Sequence, residues 1–204
     1  MPAQKNQHFV PRCALKPFTL NGEGAAINLF NLTRQRAIQN APTKGQCARD
    51  YMYGKDLRAE QTLMKLEGHY ARIVATLSSG GALPEADKDW LRLFICIQMQ
   101  RTEHAINKIR EWTDSMASTV YRNHPEQKPI DTQTDAHLMR LSMQGGIKAF
   151  EYAKYLKVVI FKNITKVDFV TCDHPAVMTN RYHHQRLTDN KFGVSNSGAY
   201  FSCH

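Results

Sequence analysis

The spacing of apolar residues changes twice along this chain of 204 residues. From residue 58 to residue 150 apolar side chains recur every three or four positions, which is the period of one buried face of an α-helix. Before and after that stretch the apolar segments are short and β-branched or aromatic, which is typical of strands. We therefore expect one α+β domain over residues 1–204. It would consist of about three main helices packed beside a small antiparallel sheet formed by N-terminal and C-terminal strands.

Three helices are expected in the middle of the chain. The first covers residues 58–77 and ends at the small residues 78–81. A second, longer helix follows Pro84, because a proline followed by acids is typical of a first helical turn. A third is capped by Asp131 or Thr132. The positions expected on the buried faces are Leu63, Leu66, Tyr70, Ile73 and Leu77, then Trp90, Leu93, Phe94, Ile97, Arg101, Ala105, Ile109 and Trp112, then Leu138, Leu141 and Phe150.

Strands are expected at both ends. Residues 26–32 and 34–42 read as a hairpin around a polar turn. Val10 precedes a proline, which excludes it from a helix and makes the segment extended. Near the C-terminal end, residues 156–161 and 167–171 are rich in β-branched and aromatic side chains, which favours an antiparallel pair.

Several protein classes are excluded by composition. No window approaches eighteen consecutive apolar residues and the N-terminus lacks the apolar segment of a secretion signal, so we expect no membrane association and a cytoplasmic location. Five widely spaced cysteines without a CxxC pair predict reduced thiols rather than a disulfide framework or a structural zinc site. The chain also lacks the glycine-rich and nucleophile-elbow motifs of nucleotide-binding proteins and serine hydrolases.

The net charge of +9 is concentrated at the two ends of the chain. Residues 1–58 carry nine Lys or Arg and three acids, residues 59–153 eleven and twelve, and residues 154–204 seven and three. If the ends meet in space they form a positive surface suited to RNA or DNA phosphates. The alternative is that these charges only keep the protein soluble, because they form no run and do not alternate with aromatic residues.

Two charged residues occupy positions that the helical period assigns to the core. Glu67 is four residues after Leu63, and Arg101 is four residues after Ile97. A buried charge is costly unless it is paired, so an ion pair between Glu67 and Arg101 is the simplest expectation. This pair either locks two helices together or lines a cavity.

Histidines are the next candidates for chemistry. His8 precedes the extended segment and His174 follows Asp173 at an expected strand end. Imidazole titrates near neutral pH, so either can serve as a general base or a ligand. The alternative for each is a hydrogen-bonded structural histidine. His183, His184 and His204 lie in a loop-rich tail and are expected to be exposed.

Several motifs together carry a resemblance to a known family. They are Gln7-His8-Phe9-Val10-Pro11-Arg12, Leu15-Lys16-Pro17-Phe18, Tyr53-Gly54, Gln98-Met99-Gln100-Arg101-Thr102 and Thr171-Cys172-Asp173-His174-Pro175-Ala176-Val177. The chain resembles a family of uncharacterised bacterial and phage proteins, recognised by an N-terminal His-[His]-[Tyr/Phe]-Val-Pro motif and a later Ser/Thr-Asp-[Asn/His]-Pro motif. The positions that match the family pattern are His8, Pro11, Glu67, Arg101, Asp173 and Pro175.

The chain departs from that pattern at Cys13-Ala14 and at Cys172. Proteins of the family also continue into further strands after the Asp-Pro motif, whereas this sequence ends at His204. A natural short version and a fragment both fit this difference. We expect the C-terminal part usual in the family to be missing here.

The first functional hypothesis is a phosphodiester hydrolase, an RNase or DNase of a bacterial defence or toxin system. Asp173 and Glu67 would bind Mg²⁺ or Mn²⁺ or orient water, His8 would act as general base, and Arg101 would stabilise charge on the phosphate. The alternative is a non-enzymatic module that binds nucleic acid or protein, with Glu67, Arg101 and Asp173 in a structural network. A hydrolase of an N-glycosidic bond stays open as well. An enzyme predicts these groups in an open cleft, and a binding module predicts them sealed in the core.

Overall fold

The computed structural model describes residues 5–124, 126, 134–179 and 198–201. This part of the chain combines helices with small antiparallel sheets, as expected for an α+β protein. The helices are α1 (Arg12–Leu15), α2 (Arg58–Ser78), α3 (Glu85–Gln100), α4 (Glu103–Asn123) and α5 (Asp135–Ala153). The strands are β1 (Asn6–His8), β2 (Ala26–Asn31), β3 (Arg36–Pro42), β4 (Ala48–Asp50), β5 (Ala176–Thr179) and β6 (Gly198–Phe201).

Helix α3 lies at the centre of the helical part and packs against both α2 and α5. Tyr70 of α2 stacks on Phe94 of α3 with ring centroids 4.0 Å apart. On the other side α5 approaches closely, because a Cβ atom on Gly146 would lie 2.8 Å from the Cys96 carbonyl oxygen. Nearby, the Ser142 hydroxyl donates a hydrogen bond of 2.6 Å to the Gln100 carbonyl. Small side chains on α5 therefore set the distance between these two helices.

The expected single helix from Pro84 to Trp112 is wrong, because it is two helices that meet at Arg101. Thr102 is extended (φ −102°, ψ 161°), and its hydroxyl accepts a hydrogen bond from the Ala105 N–H at the start of α4. A threonine at this position caps a new helix instead of continuing the old one. The break removes Trp112 from the buried face, and its side chain is 61% exposed.

The bounds of α2 and the start of α3 after Pro84 agree with the sequence predictions. Four of the five positions predicted for the buried face of α2 are buried, Leu63, Leu66, Tyr70 and Ile73, and Leu77 is half-buried. The predicted caps Asp131 and Thr132 lie outside the described residues, and α5 begins with Thr134 as its N-cap. None of the helices within the described residues is long and apolar enough to span a bilayer.

Within the described residues the strands form three separate antiparallel pairs rather than one sheet. β1 pairs with β4, β2 with β3, and β5 with β6. The predicted hairpin of β2 and β3 is confirmed, but the expected sheet that joins N-terminal and C-terminal strands is wrong. β1 finds its partner within the N-terminal part of the chain, where loop closure costs less entropy than a pairing across the helices.

The predicted antiparallel pair of residues 156–161 and 167–171 is also wrong, because these residues form no strand. The Asn163 side chain instead closes a turn by donating to the Val167 carbonyl at 2.7 Å. Phe161 and Ile164 are 73% and 90% exposed. β-Branched and aromatic residues favour strands only when they also pack one face against the protein, and the side chains of Phe161 and Ile164 do not.

Candidate functional site

The ion pair between Glu67 and Arg101 forms as expected. Arg101 follows the last residue of α3, and its side chain is 1% exposed. Its Nη2 donates to the Glu67 Oε1 at 2.7 Å, and its Nε donates to the Phe9 carbonyl at 3.1 Å. Glu67 lies in the middle of α2 with its side chain 27% exposed. The cation is therefore sealed, while the carboxylate reaches solvent at one edge.

The N-terminal motif is held in place by this same region. The Phe9 carbonyl also accepts a hydrogen bond of 2.9 Å from the Gln98 side chain, one helical turn before Arg101. Gln98 and Arg101 are both fully buried. Two donors from α3 therefore fix the carbonyl that precedes Val10 and Pro11, where no helix or sheet is available to satisfy it.

A second set of hydrogen bonds ties the motif to Tyr53 and Gly54. The Gln7 Oε1 accepts from the Tyr53 N–H at 2.7 Å, and the Gln7 Nε2 donates to the Gly54 carbonyl at 3.1 Å. The Tyr53 hydroxyl donates to the His8 carbonyl at 2.8 Å. Because burial is the largest effect, the pKa of Tyr53 rises to about 12, and the phenol stays protonated. Motifs separated by more than forty residues thus form one buried polar network.

Gln7 and Gln98 belong to two of the sequence motifs, but neither was predicted to take part in the buried network. Glutamine is usually exposed, so neither position is expected in the core. The available signal was their spacing from predicted site residues, because Gln7 precedes His8 and Gln98 is three residues before Arg101.

Three buried polar atoms around Arg101 have no hydrogen-bond partner among the described residues. They are Glu60 Oε2, Gln98 Oε1 and Arg101 Nη1. Burial and the neighbouring Glu67 charge raise the pKa of Glu60. The network therefore holds one donor and two acceptors that the surrounding side chains leave unsatisfied.

His8 lies at the edge of the network and is partly buried. Its Nε2 is 3.3 Å from the Thr43 carbonyl, which can only accept, so Nε2 carries the hydrogen. Burial lowers the pKa of His8, and the positive charges of Arg12 and Arg101 act in the same direction. The imidazole is therefore neutral near pH 7, with Nδ1 as its basic nitrogen.

Asp173 and His174 lie in a second cluster, at the start of α4. The His174 Nδ1 is 2.7 Å from the Thr102 hydroxyl, and the His174 ring is 4.7 Å from the ring of His104. Burial and the charge of His104 lower the pKa of His174. Asp173 is exposed. This cluster borders a cavity of about 320 Å³ between α3, α4 and His174.

The structure thus brings His8, Glu67 and Arg101 together and places Asp173 in the second cluster. The sheet expected from N-terminal and C-terminal strands would have brought His8 and Asp173 together, but His8 lies in β1, Asp173 lies shortly before β5, and these strands belong to different pairs. Asp173 is near Cys47, because its charge adds to the effect of burial in raising the pKa of that thiol, and the Cys47 carbonyl accepts from the Phe9 N–H at 2.8 Å.

The metal assignment to Glu67 and Asp173 stays a prediction. No group of three or more His, Cys, Asp or Glu side chains that could hold a metal ion is found among the residues the structure describes. One Glu67 oxygen is already bound by Arg101.

The cysteines of the described residues are free thiols, as the sequence predicted. Burial raises the pKa of Cys13 to about 11 and that of Cys47 to about 12. Both thiols are therefore protonated near pH 7, which makes them poor nucleophiles.

The two partly buried histidines predict loss of stability in acid. Folding lowers the pKa of His8 and of His174 below the ordinary 6.5, so the unfolded chain binds protons at a higher pH than the folded chain. Their contribution is complete above pH 6.5 and declines as the pH falls below it. We expect the melting temperature to fall between pH 7.5 and pH 5, and to fall less in the His8→Gln, His174→Gln double variant. A melting temperature that rises on acidification would contradict this assignment.

Taken together, the fold and the network define an α+β protein whose N-terminal His-Phe-Val-Pro segment is anchored by buried glutamine, tyrosine and arginine side chains. The chain belongs to the family described as "Protein of unknown function (DUF4238)", whose model matches residues 6–201. This match confirms the resemblance seen in the sequence. No curated protein and no solved structure matches the chain.

Proposed function

We propose that this protein binds nucleic acid through the hairpin of β2 and β3. The observation that carries the proposal is the charge of this hairpin and its base. Residues 24–48 contain no Asp or Glu, and their basic residues are Arg34, Arg36 and Lys44. A segment with unopposed positive charge attracts phosphates through counterion release.

These three cations are exposed, and no carboxylate of the described residues lies within ion-pair distance of them. Other exposed lysine and arginine side chains form ion pairs with nearby carboxylates. Lys108 and Lys154, for example, bond carboxylates of their own helices at 2.8 and 2.9 Å. The hairpin is therefore a place where positive charge is left available to a partner.

The shape of the hairpin supports the same proposal. A two-stranded ribbon fits the major groove of a duplex, and an exposed aromatic ring can stack on an unpaired base. Phe30 is 54% exposed and lies opposite Ala37, whose small side chain leaves the ring open. At the tip, the Asn31 Oδ1 accepts from the Arg34 N–H at 2.8 Å and fixes the turn.

The buried network favours binding over hydrolysis. Arg101 is fully buried and bonded to Glu67 and to the Phe9 carbonyl, so its charge stabilises the N-terminal segment. A guanidinium that stabilises a phosphate must instead touch it. This burial is the property expected of a binding module with a structural network.

Phosphodiester hydrolysis is the second candidate, and one observation favours it. Asp173 is an exposed carboxylate next in sequence to His174, which lines the cavity. Carboxylate oxygens are suitable ligands for Mg²⁺ or Mn²⁺, and a neighbouring neutral imidazole can accept a proton. Under this candidate Asp173 supplies the chemistry and the hairpin supplies the affinity.

The test of the proposal neutralises the hairpin and compares it with a matched control. The hairpin variant carries Arg34→Gln, Arg36→Gln and Lys44→Gln. The control removes the same charge from exposed positions on α2, α4 and α5, through Lys65→Gln, Arg122→Gln and Lys148→Gln. We expect the hairpin variant to bind RNA and DNA oligonucleotides at least about tenfold more weakly in fluorescence anisotropy, and the control to change by less than about twofold.

Equal losses in the two variants would contradict the proposal, because the attraction would then depend on net charge alone. Circular dichroism of both variants checks that the fold is retained.

A further inference from the structure

The cavity beside His174 has the size and lining of a ligand site that the buried network does not use. Its volume of about 320 Å³ lies within the range of small-molecule pockets, roughly 300–1,000 Å³. The side chains that matter for ligand binding are Gln100, His104, Lys108, Ile109, Trp112 and His174. His104, Lys108 and Trp112 are spaced by four residues, so they present one face of α4 to the cavity.

One wall of the cavity is an aromatic surface left in solvent. The Trp112 side chain is 61% exposed, and Ile109 lies beside it in the lining. Trp90, the other tryptophan of the chain, stacks on His69 with ring centroids 3.9 Å apart. Trp112 therefore offers a large open ring face, which is the surface on which a planar heterocycle stacks.

Other residues of the lining supply oriented polar groups. The Thr102 hydroxyl holds the His174 Nδ1, which leaves Nε2 for a ligand. The Gln100 Oε1 accepts from the Ser142 hydroxyl at 3.1 Å, so its amide nitrogen is the donor that Gln100 can offer. These groups match the hydrogen-bonding edge of a nucleobase.

Lys108 lies one helical turn after His104 and supplies a positive charge to the lining of the cavity. The Lys108 Nζ bonds the Glu111 carboxylate at 2.8 Å, but both side chains are more than 60% exposed. An exposed pair of this kind contributes little energy, so a phosphate can compete for the ammonium group. The cavity thus combines a stacking face, a polar edge and an exchangeable cation.

A salt bridge connects β4, the strand that follows the hairpin in the chain, to the first residue of α4 beside the cavity. Arg49 of β4, which follows the hairpin, pairs with Glu103, the residue before His104. A single strand of nucleic acid that is bound along the hairpin and continues past β4 would therefore extend towards the cavity. We infer that the cavity binds one unstacked nucleotide of a single-stranded nucleic acid, with its base on Trp112. This inference rests on the proposed function, since the hairpin supplies the rest of the contact.

The experiment uses Trp112 itself as the reporter. In a Trp90→Phe background Trp112 is the remaining tryptophan, and its fluorescence is followed during titration with a short oligothymidylate, the same strand annealed to its complement, and thymidine monophosphate. We expect the single strand to quench Trp112, the monophosphate to quench it at higher concentration, and the duplex to bind without quenching. Trp112→Ala should weaken single-strand binding about tenfold, and Trp112→Phe should restore most of it.

These measurements distinguish binding at the cavity from binding at the hairpin. Tight binding that depends on Arg34, Arg36 and Lys44, with unchanged Trp112 fluorescence and no effect of Trp112→Ala, would overturn the cavity site and leave hairpin binding in place. Quenching by the single strand and the monophosphate, with no effect of the hairpin variant, would support the cavity and contradict the hairpin.

Discussion

Replacing Arg101 by alanine is expected to lower the free energy of unfolding by about 3–5 kcal/mol, measured by urea denaturation. The guanidinium is fully buried and donates to both Glu67 and the Phe9 carbonyl. Alanine leaves an unpaired carboxylate facing a cavity of side-chain size and removes one of the two donors that fix the N-terminal segment. Each of these effects destabilises the folded state.

The matched change at Glu67 should lower the free energy of unfolding by a smaller amount. Glu67→Gln keeps the shape of the side chain and an oxygen that can accept from Arg101, and Glu67 is partly exposed. We expect a loss of about 1–3 kcal/mol for this variant. Equal and small losses in the two variants would contradict the structural role assigned to the pair. A double variant measures their coupling directly.

Any cleavage that depends on Mg²⁺ or Mn²⁺ is expected to fall at least about a hundredfold in Asp173→Asn. Asparagine has nearly the same shape but cannot supply the negative charge that binds a metal ion or orients water. Because Asp173 is exposed, the melting temperature should change little. The rate is measured on labelled RNA and DNA oligonucleotides with purified wild type and variant.

Two results decide against Asp173 in hydrolysis. Full cleavage by Asp173→Asn would show that the carboxylate only caps the turn before Pro175, where asparagine serves as well. If the wild-type protein cleaves neither RNA nor DNA with either metal, hydrolysis is rejected and nucleic-acid binding is the remaining candidate function.

The parts of the structure that were predictable from sequence depend on local patterns. The buried face of α2 follows from the spacing of Leu63, Leu66, Tyr70 and Ile73, and the hairpin from two short apolar runs around a polar turn. The ion pair of Glu67 with Arg101 was predictable because two opposite charges fall on core positions of neighbouring helices.

The parts that were missed depend on distant partners. The strand candidates at 156–161 and 167–171 have the composition of a sheet, but they form no strand, and side chains such as Phe161 remain exposed. The place of Gln7 in the core is set by Tyr53 and Gly54, which are far along the chain. The helix break at Thr102 had a local signal, but the apolar period continued through it and concealed the cap.

The dependence of binding on salt tests the central claim most directly. The affinity of wild type and of the hairpin variant for a single-stranded oligonucleotide is measured across a series of salt concentrations. If Arg34, Arg36 and Lys44 contact phosphates, the slope of log K against log salt should become shallower by about 2 in the hairpin variant and stay unchanged in the control. Identical slopes in wild type and the hairpin variant would contradict nucleic-acid binding by the hairpin.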